Sequence, residues 1–155
     1  MGESGRRTVA LAAALAVAAA AGCGGGARLS KSQYEQKMRA EARSLQASVQ
    51  GLARAGTDID KLATKVDSIQ KAFAKAADDI DGLKPPKDAE ADTQKIADAL
   101  HQFSGVLTDI KRAAGRHEVQ RVQQLFLRIQ EVGRGAAQAS SDLEKKGYDI
   151  GGFNG

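Results

Sequence analysis

The side chain best placed for chemistry is Cys23, the single cysteine of the chain, which ends Ala20-Ala21-Gly22-Cys23 and is followed by Gly24-Gly25-Gly26. A free cysteine is most often a small buried hydrophobe, but a run of glycines offers nothing to bury it against. It is therefore read as a site of covalent modification at sulfur. Other candidates are sparse. His101, His117 and Met38 are the ligands available for a metal or haem of the kind helical bundles host. His101 sits beside the apolar stripe of its helix and His117 falls at the pole opposite Met38, so the three do not meet at one level. No Glu-x-x-His pair is present for a di-iron centre. No serine stands in a strained turn with histidine and acid at set spacing, and no glycine-rich phosphate loop follows a strand. Catalytic, cofactor-binding and metal residues are expected to be absent, and the chain is read as a non-enzyme.

Charged side chains cluster without a ligand-binding spacing. Asp78, Asp79 and Asp81 close one helix, and Asp88, Glu90 and Asp92 open the next. Such oxygens suit a weak Ca²⁺ site, but with no EF-hand-like spacing they are expected to pair with Lys31, Lys84, Lys87, Lys145 and Lys146 at the same pole. Arg39, Arg43 and Arg54 in the first helix, with Arg116, Arg121, Arg128 and Arg134 in the last, make a face that is solvated or meets anionic headgroups.

The segment before Cys23 explains its placement. Arg6-Arg7 precede an almost pure Ala/Leu/Val run over residues 8–21. A basic head, an apolar body and a small-residue exit form the anatomy of an export signal, with Arg6-Arg7 serving as a plain basic head or a twin-arginine mark. The run is shorter than the ~20 apolar residues that span a bilayer as a helix, so residues 1–22 are expected to be removed as a signal peptide. Residues 1–23 resemble the signal and acylation box of bacterial lipoproteins, with Ala20 where that family usually carries leucine. In that family the box cysteine is diacylated and becomes the mature N-terminus. The resemblance implies lipidation, of the palmitate type, at Cys23 and a protein held at the extracytoplasmic face of the cell membrane. The alternative is ordinary cleavage after Ala19-Ala20-Ala21, which would leave a secreted, soluble protein.

Composition narrows the rest. The net charge is +4, and losing Glu3, Arg6 and Arg7 takes away one, leaving +3. That charge is mild and mixed in sign along the chain, so no nucleic-acid partner is indicated. With one cysteine no disulfide framework exists, so stability must come from packing. An Ala-rich chain poor in β-branched residues favours helices over sheets.

Four helical segments follow a flexible tether at residues 23–29. Ser30-Lys31-Ser32-Gln33 reads as a capping box, stapled by Leu29 and Tyr34. Apolar residues recur at Tyr34, Met38, Ala42, Leu45 and Val49, then at Ile59, Leu62, Val66, Ile69, Phe73, Ala76 and Ile80, the spacing of buried helix faces. Gly51 and Gly56 suggest a break between them. Yet Met38, Leu45, Leu52, Ile59, Val66, Phe73 and Ile80 keep one heptad register, so a single helix over 30–83 is the alternative. Pro85-Pro86 force a boundary. The third stripe runs through Ala89, Thr93, Ile96, Leu100, Phe103 and Leu107. After Gly115 the stripe restarts out of phase as Val119, Val122, Phe126, Ile129, Gly133, Ala136, Ser140 and Leu143.

Segments of about 30–54, 58–83, 87–114 and 116–146 joined by short loops predict an all-α, up-down-up-down four-helix bundle over 30–147, with 148–155 an irregular tail. Tyr34, Leu83 and Tyr148 should meet near the base. Phe103 and Phe126 should pair higher up, since at 1.5 Å per residue their levels differ by only ~6 Å. The layout of Cys23, short tether, Leu83-Lys84-Pro85-Pro86 and Lys146-Gly147-Tyr148 close resembles small Ala-rich bacterial lipoproteins of unassigned function. That likeness carries no activity to transfer.

The leading functional reading is a lipid-anchored, non-enzymatic bundle of the cell envelope, partnered with the membrane and with an envelope protein. The alternative class is an envelope lipoprotein that binds a small molecule or metal. A pocket lined by Leu62, Leu100, Leu107 and Ile129 would mark it, whereas the medium-sized, heptad-regular stripes suggest a filled core.

Overall fold

The computed structural model describes residues 27–53 and 59–153, with the side chains of 51–65 left aside. Cys23, the signal segment, residues 24–26, residues 54–58 and residues 154–155 lie outside the described residues. Four helices and no strand are found among the described residues: α1 (Lys31–Ala53), α2 (Ile59–Asp81), α3 (Glu90–Gly115) and α4 (Val119–Lys145).

Local chemistry accounts for the helix ends. The Gln33 amide N–H donates to Ser30 Oγ at 3.3 Å and the Ser30 N–H donates to Gln33 Oε1 at 3.0 Å, the reciprocal capping box. The Pro85-Pro86 turn ends α2, and Pro86 accepts from Ala89 N–H as α3 begins. Glu90 and Asp92 then occupy the first turn of α3, where negative charge complements the helix dipole. At the next corner His117, not Gly115, takes the left-handed conformation, at φ 58°. Glu118 N–H reaches back to Ala113 O, which lets the chain reverse there.

Cross-links between helices give the topology. Asp67 meets Lys111, Gln70 meets Thr108 and Asp81 meets Gln94, so α2 and α3 run antiparallel. The Asp92–Lys146 pair at one level and the Val106–Leu125 cluster at another set α3 antiparallel to α4. Leu29 N–H donates to Lys84 O at 2.7 Å, which joins the start of α1 to the end of α2. In the same core cluster Leu45 packs with Ala76, Ala77 and Ile80. On one continuous rod Leu45 and Ala76 would stand ~46 Å apart, so the single helix over 30–83 is replaced by a hairpin and the four-helix bundle holds.

The largest cluster fills the lower half, where all four helices converge on Tyr34, Met38, Ile80, Ile96 and Leu143. Residues 148–153 follow α4 without helical structure, yet Tyr148 is buried and Ile150 is 0 % exposed. Tyr148 stands edge-on to Tyr34 at 5.4 Å and 88°, and Leu83 packs against the same cluster, as the sequence predicts. The upper half is thinner among the described residues: Val106, Ala113 and Leu125, with Ile110, Val122 and Ile129, join only α3 to α4.

One pairing differs from expectation. Phe103 packs on Phe73 at 5.4 Å, while Phe126 is 54 % exposed. Both level and face differ: Phe103 stands beside Gly133, whose added Cβ would lie 3.6 Å from the ring, and Phe126 is two turns, ~10 Å, further up α4. The N-terminal half of α4 buries Leu125 and Val132 rather than Val119 and Phe126. Packing on α3 alone selects that side, because no other helix meets the Phe126 side.

The C-terminal tail is therefore part of the cooperative core. Ile150→Ala should lower stability by ~2–5 kcal/mol in urea unfolding, the usual cost of emptying a filled aliphatic site. Gly151→Ala should also destabilise, since Gly151 has φ +74° and an added Cβ would lie 2.9 Å from Arg39 Cγ. A loss below ~0.5 kcal/mol for both, the range of ordinary surface changes, would mean that the tail is not needed for folding.

Candidate functional site in the seam between the first and last helices

Helices pack in sequence, α1 on α2, α2 on α3 and α3 on α4, but among the described residues the backbones of α1 and α4 stay more than 8 Å apart. The lower part of this seam is filled by the tail. Higher up it opens as a cleft of about 730 Å³. Its floor is Phe73, Leu100 and Phe103; one wall is Ala42, Leu45 and Val49 from α1, and the other is Gly133, Ala136 and Ala137 from α4. Gly133 leaves room for the Phe103 ring, whose Cζ would stand 3.6 Å from an added Cβ. Gly152 and Phe153 close the lower end. Gln46, Gln50, Gln130 and Arg134 line the mouth, and Arg134 is the only charged residue in the lining.

A polar cluster seats the tail that closes this cleft. The Asp92 carboxylate is buried between Lys146 at 2.7 Å and Lys95 at 2.9 Å. Burial pushes its pKa up, but the hydrogen bonds and charges of Lys146 and Lys95 outweigh that and hold it below the usual carboxylate range. Lys146 Nζ also donates to Asp88 O, and Tyr148 donates its hydroxyl to Asp88 Oδ1 at 2.8 Å. Burial, helped by that bond and the Asp88 charge, pushes the Tyr148 phenol up to about 12. Tyr34 is raised chiefly by burial, and its hydroxyl lies 2.7 Å from Thr93 Oγ1. Both phenols thus stay protonated at neutral pH. On the outer side Arg39 pairs with Asp149 at 2.7 Å and Asp149 N–H donates to Glu35.

The other expected positions are dispersed. Met38 is fully buried in the core, His101 is exposed with Nε2 3.8 Å from Asp78, and His117 sits in the α3–α4 turn. Among the described residues no three His, Cys, Asp or Glu side chains gather as a metal site. The polar carboxylates go separate ways: Glu90 pairs with Arg28, Asp79 with Lys75 and Asp92 with Lys146 and Lys95, so only Lys146 of the expected lysines takes part in these pairs. Of the anticipated pocket residues, Leu100 lines the cleft, Ile129 belongs to the α3–α4 cluster, and the Leu62 side chain lies outside the described residues. Phe153 and Gly152 were not expected there. Their only signal was two apolar residues, Ile150 and Phe153, in an otherwise polar, Gly-rich tail.

No protein-family model, curated protein or solved structure matches this chain. The fold and cleft define its class directly: an all-α four-helix bundle left open along the upper part of one seam.

The depressed Asp92 pKa makes an acid prediction with a definite sign. A carboxyl that holds its proton less tightly when folded adds stability that is present above its unfolded pKa of ~3.9 and is lost as pH falls through the folded value. Urea midpoints measured from pH 6 down to pH 2 should fall on the acid side, and Asp92→Asn should flatten that fall while lowering stability at pH 6. An unchanged acid slope in the variant would remove Asp92 as its source.

Proposed function

We propose that the protein is a lipid-anchored, non-enzymatic helical bundle of the cell envelope, held at the extracytoplasmic face of the membrane by acyl chains on Cys23. The observation that carries this reading is the Ala20-Ala21-Gly22-Cys23 box placed a few residues before the point where the fold takes hold. Leu29 is tied to Lys84, and Arg28 is tied to Pro85 O and to Glu90. An anchor at Cys23 would leave the bundle close to the lipid surface, joined through glycines that impose no orientation.

A further feature is consistent with it. No described helix is long and apolar enough to cross a membrane, and attachment through sulfur needs none. Two acyl chains at ~0.8 kcal/mol per buried CH₂ hold stably where one is marginal. A non-enzymatic role fits a cleft whose lining holds one charged side chain and no acid–base pair. Contact with an envelope protein is the expected mode of action.

Expression of the full chain in a bacterial host, followed by fractionation and intact-mass measurement, tests the anchor. The protein should be in the membrane fraction with the mass of a diacylated form. Cys23→Ala should move it to the soluble or secreted fraction. A variant that remains membrane-bound, or an unmodified parent mass, would overturn the reading in favour of simple secretion or another attachment.

A further inference from the structure

We infer that the cleft between α1 and α4 binds a single-chain anionic amphiphile, its hydrocarbon on Leu45, Phe73, Leu100 and Phe103 and its carboxylate or phosphate on Arg134. The inference stands independently of anchoring through Cys23. The cleft's volume of about 730 Å³ falls within the ~300–1,000 Å³ usual for small-molecule sites. Its floor is continuous apolar surface, while its polar groups are confined to the mouth. A ligand that satisfies both must have an apolar body and a polar end.

Charge then selects the sign of that end. Arg134 is the single charged residue in the lining, it is exposed, and among the described residues it has no acidic partner. A guanidinium presents a planar fork of donors that fits a carboxylate or phosphate. The Gln46, Gln50 and Gln130 amides beside it supply neutral hydrogen bonds but no competing charge.

Shape favours a chain over a helix or a second copy. From Ala42 to Gln50 the α1 wall is ~12 Å long, about two helical turns, and Phe153 closes the lower end. A helix of two turns is marginal in water and ~10 Å wide with its side chains. An extended hydrocarbon needs neither that width nor an open lower end. It also has somewhere to continue. Phe126 stands one turn above Gln130 on the same face of α4 and is 54 % exposed, and Val119, two turns further on, is 66 % exposed. An exposed ring and an exposed valine above an apolar slot are where the distal end of a long chain would lie.

The test uses the full chain carrying Cys23→Ala, so that no acyl group of its own competes, with cis-parinaric acid as the fluorescent probe. Binding should be saturable and one to one. Ala137→Trp, which fills the slot from a half-buried wall position, should weaken binding at least tenfold while circular dichroism stays helical. Arg134→Gln should weaken the acid about tenfold, the scale of one charge-assisted contact, and leave its methyl ester unaffected. Because the chain has no tryptophan, Phe153→Trp gives a second readout: 9,10-dibromostearate should quench the indole at the same concentrations. Competition with palmitate and with a lysophosphatidic acid separates the two head groups, and displacement by either supports the inference. Displacement by neither, full binding with Ala137→Trp, equal effects of Arg134→Gln on acid and ester, or an unquenched indole would overturn it. So would sedimentation showing a dimer that forms at the expense of probe binding.

Discussion

The lower half of this bundle depends on one contact, Tyr148 standing edge-on to Tyr34. Each ring is large enough to fill the space between α1 and α4, and each has its hydroxyl partnered, with Thr93 and with Asp88. A buried phenol hydroxyl without a partner would offset part of what its ring gains by packing. Because both partners are on or just before α3, the pair ties the first helix and the tail to the third. On that side of α1 the tail stands in for a neighbouring helix, and Arg39–Asp149 and the Asp149–Glu35 hydrogen bond hold it from outside.

That arrangement has two consequences for the seam. Below, Tyr148 and Ile150 substitute for the missing α1–α4 packing, and Gly151 and Gly152 turn the chain in the left-handed region where side chains are poorly tolerated. Above Phe153 nothing further among the described residues fills the gap. The cleft is therefore a by-product of how the base is closed. A tail shorter by a few residues would lengthen the slot downward, and a direct α1–α4 contact would abolish it.

Electrostatics pins the same pole. Lys146, the cap residue just past α4, reaches both Asp92 and the Asp88 carbonyl, so the chain is fastened just before it turns into the tail. Asp92 is the costly member, a buried carboxylate held by two lysines whose own ends remain wet. Such a pair adds little stability over an apolar substitute but penalises any register in which either partner is lost. Its position at the first turn of α3 also favours the charged form. The charges of this pole thus hold geometry, and among the described residues no three His, Cys, Asp or Glu side chains gather there as a metal site.

What the amino-acid sequence determined by itself follows from short-range physics. The capping box at Ser30, the Pro85-Pro86 boundary, the helix period and the small-residue box before Cys23 are local patterns that depend on neighbouring residues alone. Helix type, the boundary before the third helix and the lower-pole meeting of Tyr34, Leu83 and Tyr148 were legible at that level. Tertiary structure decided the azimuth of α4. Leu125, Phe126 and Leu127 are consecutive apolar residues, so periodicity permits several faces, and only packing against α3 selects Leu125. It also decided that α1 and α2 fold back, since the heptad register is the same in a rod and in a hairpin and only burial against Ala76, Ala77 and Ile80 separates them. The cleft was illegible for the same reason: it is the space left where two helices fail to meet, and no local pattern records a contact that is missing.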